Sequence, residues 1–260
     1  MTGATAPPLQ MPTLTGFDAA TQGAAALLYL AISVPAWLRA PADPRTRVFL
    51  AAAAANGVAF GLPAVGWLRG ASDPLALARW QTAALLSALG LAALLLLHFT
   101  QVFPRRRPWI RSAPWQLPAG YVLTPLVIGG LVAYWPSDVA SISTGYVVAA
   151  FALGFPLLVT LGVVVPVAGI LSLLKSYREA ETYAARLRTP LLWMLISQVG
   201  GGALALVFAP VLAIVAPNSA AQDALTLTTW VLGLLTPVAF ASAVWRYDAL
   251  SVAVDRNGGW

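Results

Sequence analysis

Seven long apolar segments constrain this chain more than any other feature of its sequence. Each has at least the roughly 20 residues that an α-helix needs to cross a bilayer core. Only 9% of the 260 residues are charged, whereas a soluble domain carries about 25%. The pattern predicts an all-α polytopic membrane protein, a seven-transmembrane-helix bundle. Its spans are expected at 19–38, 48–68, 80–103, 116–135, 146–174, 190–215 and 225–245.

The distribution of basic residues predicts how the spans are oriented. Of the 15 Lys and Arg residues, 13 fall in the loops after the first, third and fifth spans or after the seventh span. Basic residues collect on the cytoplasmic side, so the N-terminus is expected outside and the C-terminus inside. The expected domains are an extracytoplasmic tail (1–18), the membrane domain (19–245) and a cytoplasmic tail (246–260). The first twenty residues have no Lys or Arg, which favours a retained tail over a signal peptide.

Tryptophans and prolines agree with this plan. Most tryptophans lie within a few residues of an expected span end, where membrane proteins carry an aromatic belt: Trp37, Trp67, Trp80, Trp115, Trp135, Trp193, Trp230 and Trp245. Proline is tolerated inside a membrane span as a kink, so the prolines within the expected spans do not exclude helices there: Pro63, Pro125, Pro156, Pro166, Pro210 and Pro237. Small residues such as Gly57 and Gly61, four residues apart, are expected to serve packing within the bundle, with a dimer interface as the alternative.

Few side chains capable of catalysis are present. The chain has no Cys, and no Asp, Glu, Lys or Arg lies in the middle of an expected span, which argues against ion-driven transport. Lys175, the only lysine, lies too close to a span end for a retinal Schiff base. We therefore predict a protein that is not an enzyme, with no metal or cofactor. His98, the only histidine, is a weak candidate for ligating haem or a pigment or for responding to pH. The alternative is that it forms a hydrogen bond to a helix end or contacts lipid headgroups.

Two basic groups are candidates for contacts with lipid or partner proteins. The first is Arg105, Arg106 and Arg107, whose charge suits anionic lipid headgroups at the inner leaflet. The second is Lys175 and Arg178, on a fifth helix expected to continue beyond the bilayer. Nucleic acid is not an expected partner, because the basic residues lie between apolar segments rather than on a soluble face.

Helical spacing predicts local contacts in that protruding region. Lys175 and Glu179 are four residues apart, and Arg178 and Glu181 are three apart, so each pair shares a helix face. Thr189 followed by Pro190 predicts the N-cap and first turn of the sixth helix.

Polar residues inside the spans allow two interpretations. Asn56, Ser197 and Gln198, with Ser87 and Thr160, would line a small-ligand cavity or form hydrogen bonds between helices. Phosphate-binding glycine loops, zinc-ligand spacings and hydrolytic triads are absent from the sequence.

Two segments resemble a known family. Arg45–Leu50 (RTRVFL) precedes a span rich in small residues, and LLLLHFTQVFPRRRPWI contains His98, Phe99, Phe103 and Pro104. Their order is similar to that of the N-terminal seven-helix membrane region of many bacterial sensor histidine kinases. The end of the last span, AVWRYDALSVAVDRN, resembles that family's transition into its cytoplasmic output segment, at Arg246, Tyr247, Asp248 and Leu250.

The resemblance implies a sensor-type fold in a bacterial cytoplasmic membrane, without kinase activity, since no phosphoacceptor helix or ATP-binding glycine motif is present. Two functions from different classes follow. One is a non-catalytic accessory or structural subunit of a larger membrane complex, such as a photosynthetic or respiratory one, with other membrane subunits as partners. The alternative is a stand-alone sensor or ligand-binding module that signals through a separate cytoplasmic protein.

Overall fold

A computed structural model describes residues 16–68, 70, 79–107, 115–134, 143–208, 211–212, 215 and 219–251. All secondary structure in these ranges is helical. The first four helices are α1 (Gly16–Arg39), α2 (Pro44–Leu68), α3 (Arg79–Val102) and α4 (Gln116–Ala133). The described part of the chain contains six helices long and apolar enough to cross a membrane, so the expected helical membrane bundle is confirmed at this level.

Helix α5 is continuous but changes its winding twice. Its α-helical segments are Thr144–Ala149, Phe155–Val159 and Val165–Tyr183, and they are joined by π-helical turns Ala150–Gly154 and Thr160–Val164. Each π turn ends two residues before a proline, Pro156 or Pro166. A proline ring clashes with the carbonyl four residues earlier and offers no N–H to it, so a wider turn relieves the conflict.

The last two helices are α6 and α7. Helix α6 begins with Arg188–Ile196 and continues through π turns Ser197–Gly201 and Leu204–Phe208, while α7 is Ala220–Trp245. Helix α6 covers part of the expected span 190–215 and is described without a gap only to residue 208; it is not among the six candidate spans.

Some expected helix ends are wrong by several residues. Helix α1 already includes residues 16–18, assigned above to the tail. Helix α7 begins five residues early because the Ser219 side chain accepts a hydrogen bond from the Gln222 amide. The expected Thr189 N-cap is also wrong: a 3₁₀ turn, Ala185–Leu187, leads directly into α6, and Leu187 occupies the cap position without a side-chain bond.

Long-range contacts bring several helix ends together at one end of the bundle. The Arg39 guanidinium stacks over Trp245, which joins the ends of α1 and α7. Arg45, in the first turn of α2, contacts the chain just after α3, and Arg107 pairs with Glu179 near the end of α5. We call this the basic end. The alternation of helix directions is that of an up-and-down bundle, in which consecutive helices from α1 to α4 pack against each other and α7 packs on α1 and α6.

The most deeply buried side chains lie near the basic end. Phe49, Phe99, Phe103 and Phe240 form an aromatic cluster in which no side chain is more than 1% exposed. Ring centroids lie 4.3 Å apart for Phe49 and Phe240, and 5.0 Å apart for Phe99 and Phe240. Because α2, α3 and α7 each contribute, the cluster fixes these helices against one another.

Candidate functional site

A buried arginine is the centre of the basic end. The Arg45 side chain is 1% exposed and forms a bidentate ion pair with Asp43, with Nη2 to Oδ2 at 2.7 Å and Nε to Oδ1 at 3.0 Å. Its other N–H groups donate to three carbonyls, those of Pro104 at 3.2 Å, Ala249 at 3.2 Å and Leu250 at 3.0 Å. We call this set the Arg45 clamp. It joins the α1–α2 loop, the end of α3 and the segment after α7.

The backbone after α7 turns back to present its carbonyls to the clamp. Asp248 adopts a left-handed conformation (φ 48°), which Asp tolerates better than most residues. The 3₁₀ turn Ala249–Ser251 follows, and the Asp248 carbonyl accepts hydrogen bonds from the Ser251 amide and hydroxyl. The segment quoted for its likeness to an output transition is therefore folded onto the bundle at Ala249.

The motif around His98 divides into buried and polar positions. Phe99 and Phe103 belong to the aromatic cluster, directly beneath the clamp's contact at Pro104. His98 is only partly buried, and its Nδ1 lies 2.7 Å from the Tyr121 hydroxyl on α4. The expected hydrogen-bonding role of His98 is met by a side chain on a neighbouring helix rather than by a helix end. Its ligation of haem or a pigment stays a prediction.

The three consecutive arginines have different surroundings. Arg107 donates to Glu179 at 2.8 Å, to the Ser176 hydroxyl at 2.7 Å and to the Ser172 carbonyl at 3.2 Å, and its side chain is only 11% exposed. It therefore fixes α5 to the end of α3. Arg105 is exposed and Arg106 is partly so, and only these two present charge outward.

On α5, one expected ion pair is present and one is not. Lys175 lies 3.8 Å from Glu179, as the spacing predicted. The expected pair of Arg178 with Glu181 is wrong, because Glu181 pairs with Arg188 at 3.7 Å across the break between α5 and α6. Arg178 is exposed.

Intramembrane polar residues serve mainly as links within and between helices. Asn56 donates to the carbonyl of Ala52 in its own helix at 2.8 Å. Thr236 on α7 donates to Ser197 at 2.8 Å and accepts from Gln198 at 3.4 Å, so these bonds join α6 and α7. Gln198 also lines a cavity of about 120 Å³ between α3, α5 and α6, together with Thr100. Asn56 and Ser197 do not line that cavity.

Two larger cavities with mostly apolar linings lie between the first half of α5 and the helices beside it. One, of about 510 Å³, lies among α3, α4 and α5 and includes Gly90, Leu157 and Gly162 in its lining. The other, of about 530 Å³, lies between α4 and α5 and includes Gly130 and Tyr146. Neither contains charged lining residues, so their chemistry suits an apolar occupant.

Sequence reasoning did not single out Asp43, Thr236 or Tyr121. Asp43 directly precedes Pro44 at a helix start, and this local pattern could have marked it as a helix-initiating acid. Thr236 and Tyr121 carried no such signal, because their partners lie on other helices. Among the described residues, no group of three or more His, Cys, Asp or Glu side chains could hold a metal ion.

The fold and these contacts define a helical membrane bundle with a buried arginine at one end. No protein-family model, curated protein or solved structure matches the chain in the comparisons with known proteins.

Proposed function

We propose that the chain is a non-catalytic subunit of a larger membrane protein assembly, in a bacterial cytoplasmic membrane. In this proposal it crosses the bilayer seven times, with the basic end in the cytoplasm. The first half of α5, Thr144–Val164, contacts a neighbouring membrane protein.

A single observation carries the proposal: no side chain in Thr144–Val164 is buried within the chain. Phe151, Phe155 and Leu158 are 70%, 59% and 69% exposed. In lipid, helices associate through close packing rather than through the hydrophobic effect. This segment touches α3 and α4 at a few points, such as Leu161 beside Gly90, but most of its surface is left available to another protein. Gly130 and Gly162 line the adjacent cavities with no atom near a would-be Cβ, which leaves room for a close approach.

Site-specific photo-crosslinking tests the proposal. A crosslinking amino acid at Phe151 is expected to capture another membrane protein in native membranes. The same group at Leu27 on α1, which is also 70% exposed, is the matched control and is expected to capture lipid only. If Phe151 also captures only lipid, and the solubilised chain migrates alone as a 27.2 kDa species in native electrophoresis, the proposal fails.

A second candidate is a stand-alone sensor that signals through a separate cytoplasmic protein. The Arg45 clamp favours it, because one side chain connects the α1–α2 loop and α3 to the segment that leaves α7. A conformational change in the bundle would reach this segment through a short, buried path. A ligand that raises the thermal stability of the protein, together with a co-purifying signalling protein, would support this function; a screen without either result would count against it.

A further inference from the structure

The ends of α1 and α7 form an exposed cationic and aromatic surface outside the clamp. The Arg39 guanidinium carbon lies 5.0 Å from the centroid of the Trp245 ring, and Trp245 remains 54% exposed. Arg246 follows directly and lies 5.7 Å from the ring centroid of Tyr247. Both arginines are exposed. We call these four residues the α1–α7 surface.

The two guanidinium groups have no anionic partner among the described residues. Three other arginines at this end do have one: Arg45 pairs with Asp43, Arg107 with Glu179 and Arg188 with Glu181. Arg39 and Arg246 each lie over an aromatic ring instead. Stacking on an aromatic face holds a guanidinium in place and leaves its N–H donors available.

Electrostatics at the helix ends leave this surface positive. Each helix C-terminus contributes about half a negative charge, so the two ends together offset about one of the two arginine charges. The two guanidinium groups and the two helix ends together sum to about +1, next to a tryptophan in the position typical of a membrane interface. The exposed Asp248 carboxylate follows two residues after Arg246 and forms no ion pair with it. Exposed apolar side chains lie on α1 beside Arg39: Pro35 is one turn earlier on the same face, and the neighbouring Leu38 is 62% exposed. The combination of charge and apolar surface matches an amphipathic anion.

We propose that the α1–α7 surface binds the phosphate headgroup of an anionic phospholipid, with Arg39 and Arg246 as donors and Trp245 as the platform that orients Arg39. The donors suit any phosphate, but the neighbouring apolar strip of α1 identifies a membrane lipid rather than a free anion as the occupant. This proposal is independent of the partner contact at α5.

Native mass spectrometry of the detergent-purified chain tests the proposal. Phosphatidylglycerol, titrated against phosphatidylcholine, is expected to bind in preference. An Arg39→Gln/Arg246→Gln variant is expected to lose about thirty-fold in affinity for phosphatidylglycerol, since each basic residue near anionic lipid contributes about a five-fold effect. The matched control, Arg47→Gln/Arg186→Gln, removes the same charge from exposed positions at the same end but outside the α1–α7 surface, and it is expected to change the affinity less than two-fold.

Three results would overturn the proposal. They are equal binding of the two lipids, an equal loss in the control variant, and displacement of phosphatidylglycerol by millimolar inorganic phosphate. Trp245→Leu retains both charges and is expected to weaken phosphatidylglycerol binding several-fold, because Arg39 loses its platform. If the double variant fails to fold, this variant decides: unchanged affinity in Trp245→Leu would refute the proposed geometry.

Discussion

At the residue scale, Arg45 shows why charge counting alone misjudges a membrane protein. The sequence assigned Arg45 to the basic residues that set orientation and to the segment that resembles a known family, and it predicted no burial. In the structure it is buried, paired and bonded to three carbonyls. A buried guanidinium is tolerated only when its charge and donors are satisfied, and the Arg45 clamp meets both conditions. Arg45 therefore contributes to the structure by holding three segments together, whereas the exposed Arg178 has its charge at the surface.

Removal of Arg45 is expected to destabilise the fold strongly. Arg45→Ala leaves Asp43, whose side chain is 15% exposed, without its counter-charge, and leaves three carbonyls unpaired. A loss of about 3 kcal/mol is expected, and thermal unfolding in detergent would measure it. Arg47→Ala is the control, because Arg47 is exposed and bonds only to the nearby Pro41 carbonyl. Equal melting temperatures for the two variants would contradict the clamp.

The bond between His98 and Tyr121 is expected to contribute a smaller amount. Tyr121→Phe removes only the hydroxyl that lies 2.7 Å from His98 Nδ1. The expected loss is about 1 kcal/mol, the typical net value of one hydrogen bond. Thermal unfolding of Tyr121→Phe, His98→Gln and the double variant would form a cycle, and strictly additive losses would show that the two side chains do not interact.

At the element scale, hydropathy predicted the positions of the helices well. It did not predict the changes of winding within them. Apolar length follows directly from bilayer thickness, so α1 to α4 could be placed within a few residues. The π turns of α5 depend on how the helix relieves Pro156 and Pro166, and hydropathy contains no such information. The start of α6 was misplaced because a 3₁₀ turn replaced the expected Thr189 cap.

Only the contacts of the candidate site that lie within one helix could be predicted from the sequence. The pair of Lys175 with Glu179 follows from spacing along one helix, and it is present. Glu181 pairs instead with Arg188 on the next helix, and Ser197 bonds to Thr236 on α7. Such partners depend on which helices become neighbours, and a single sequence does not specify that.

Close packing of α3 against α4 and α5 gives a prediction at this scale. A Cβ at Gly90 would lie 2.7 Å from Thr124 Cγ2 and 3.0 Å from Leu161 Cδ1. Gly90→Ala is therefore expected to force the helices apart and to lower stability by about 1–3 kcal/mol. Gly61→Ala is the matched control, since nothing lies within 4 Å of its would-be Cβ. Because alanine is a better helix former than glycine, the control is expected to be neutral or slightly stabilising in the same unfolding measurement. If Gly90→Ala is as stable as the unmodified chain, α3 does not pack closely against α4 and α5.

At the scale of the whole molecule, the basic end and the charge count support one topology. Contacts place Arg39, Arg45, Arg107 and Arg246 at the same end of the bundle. Long basic side chains are retained on the cytoplasmic side during insertion, so this end is expected to face the cytoplasm. Because α7 ends at this same end, its start lies at the opposite end of the bundle, so α6 is expected to cross the bilayer and to make the number of spans odd.

Cysteine accessibility tests the topology cleanly, because the chain contains no cysteine and so gives no background labelling. Thr144, Ala185 and Ala221 are exposed and lie at the start of α5, just before α6 and at the start of α7. In intact spheroplasts, a membrane-impermeant maleimide is expected to label Thr144→Cys and Ala221→Cys, and to label Ala185→Cys only after lysis. The comparison of Ala185 with Ala221 addresses α6, the long helix that the described residues place between these positions. Equal labelling of both in intact spheroplasts would mean that α6 does not span, and labelling of Ala185→Cys alone would invert the orientation inferred from the arginines.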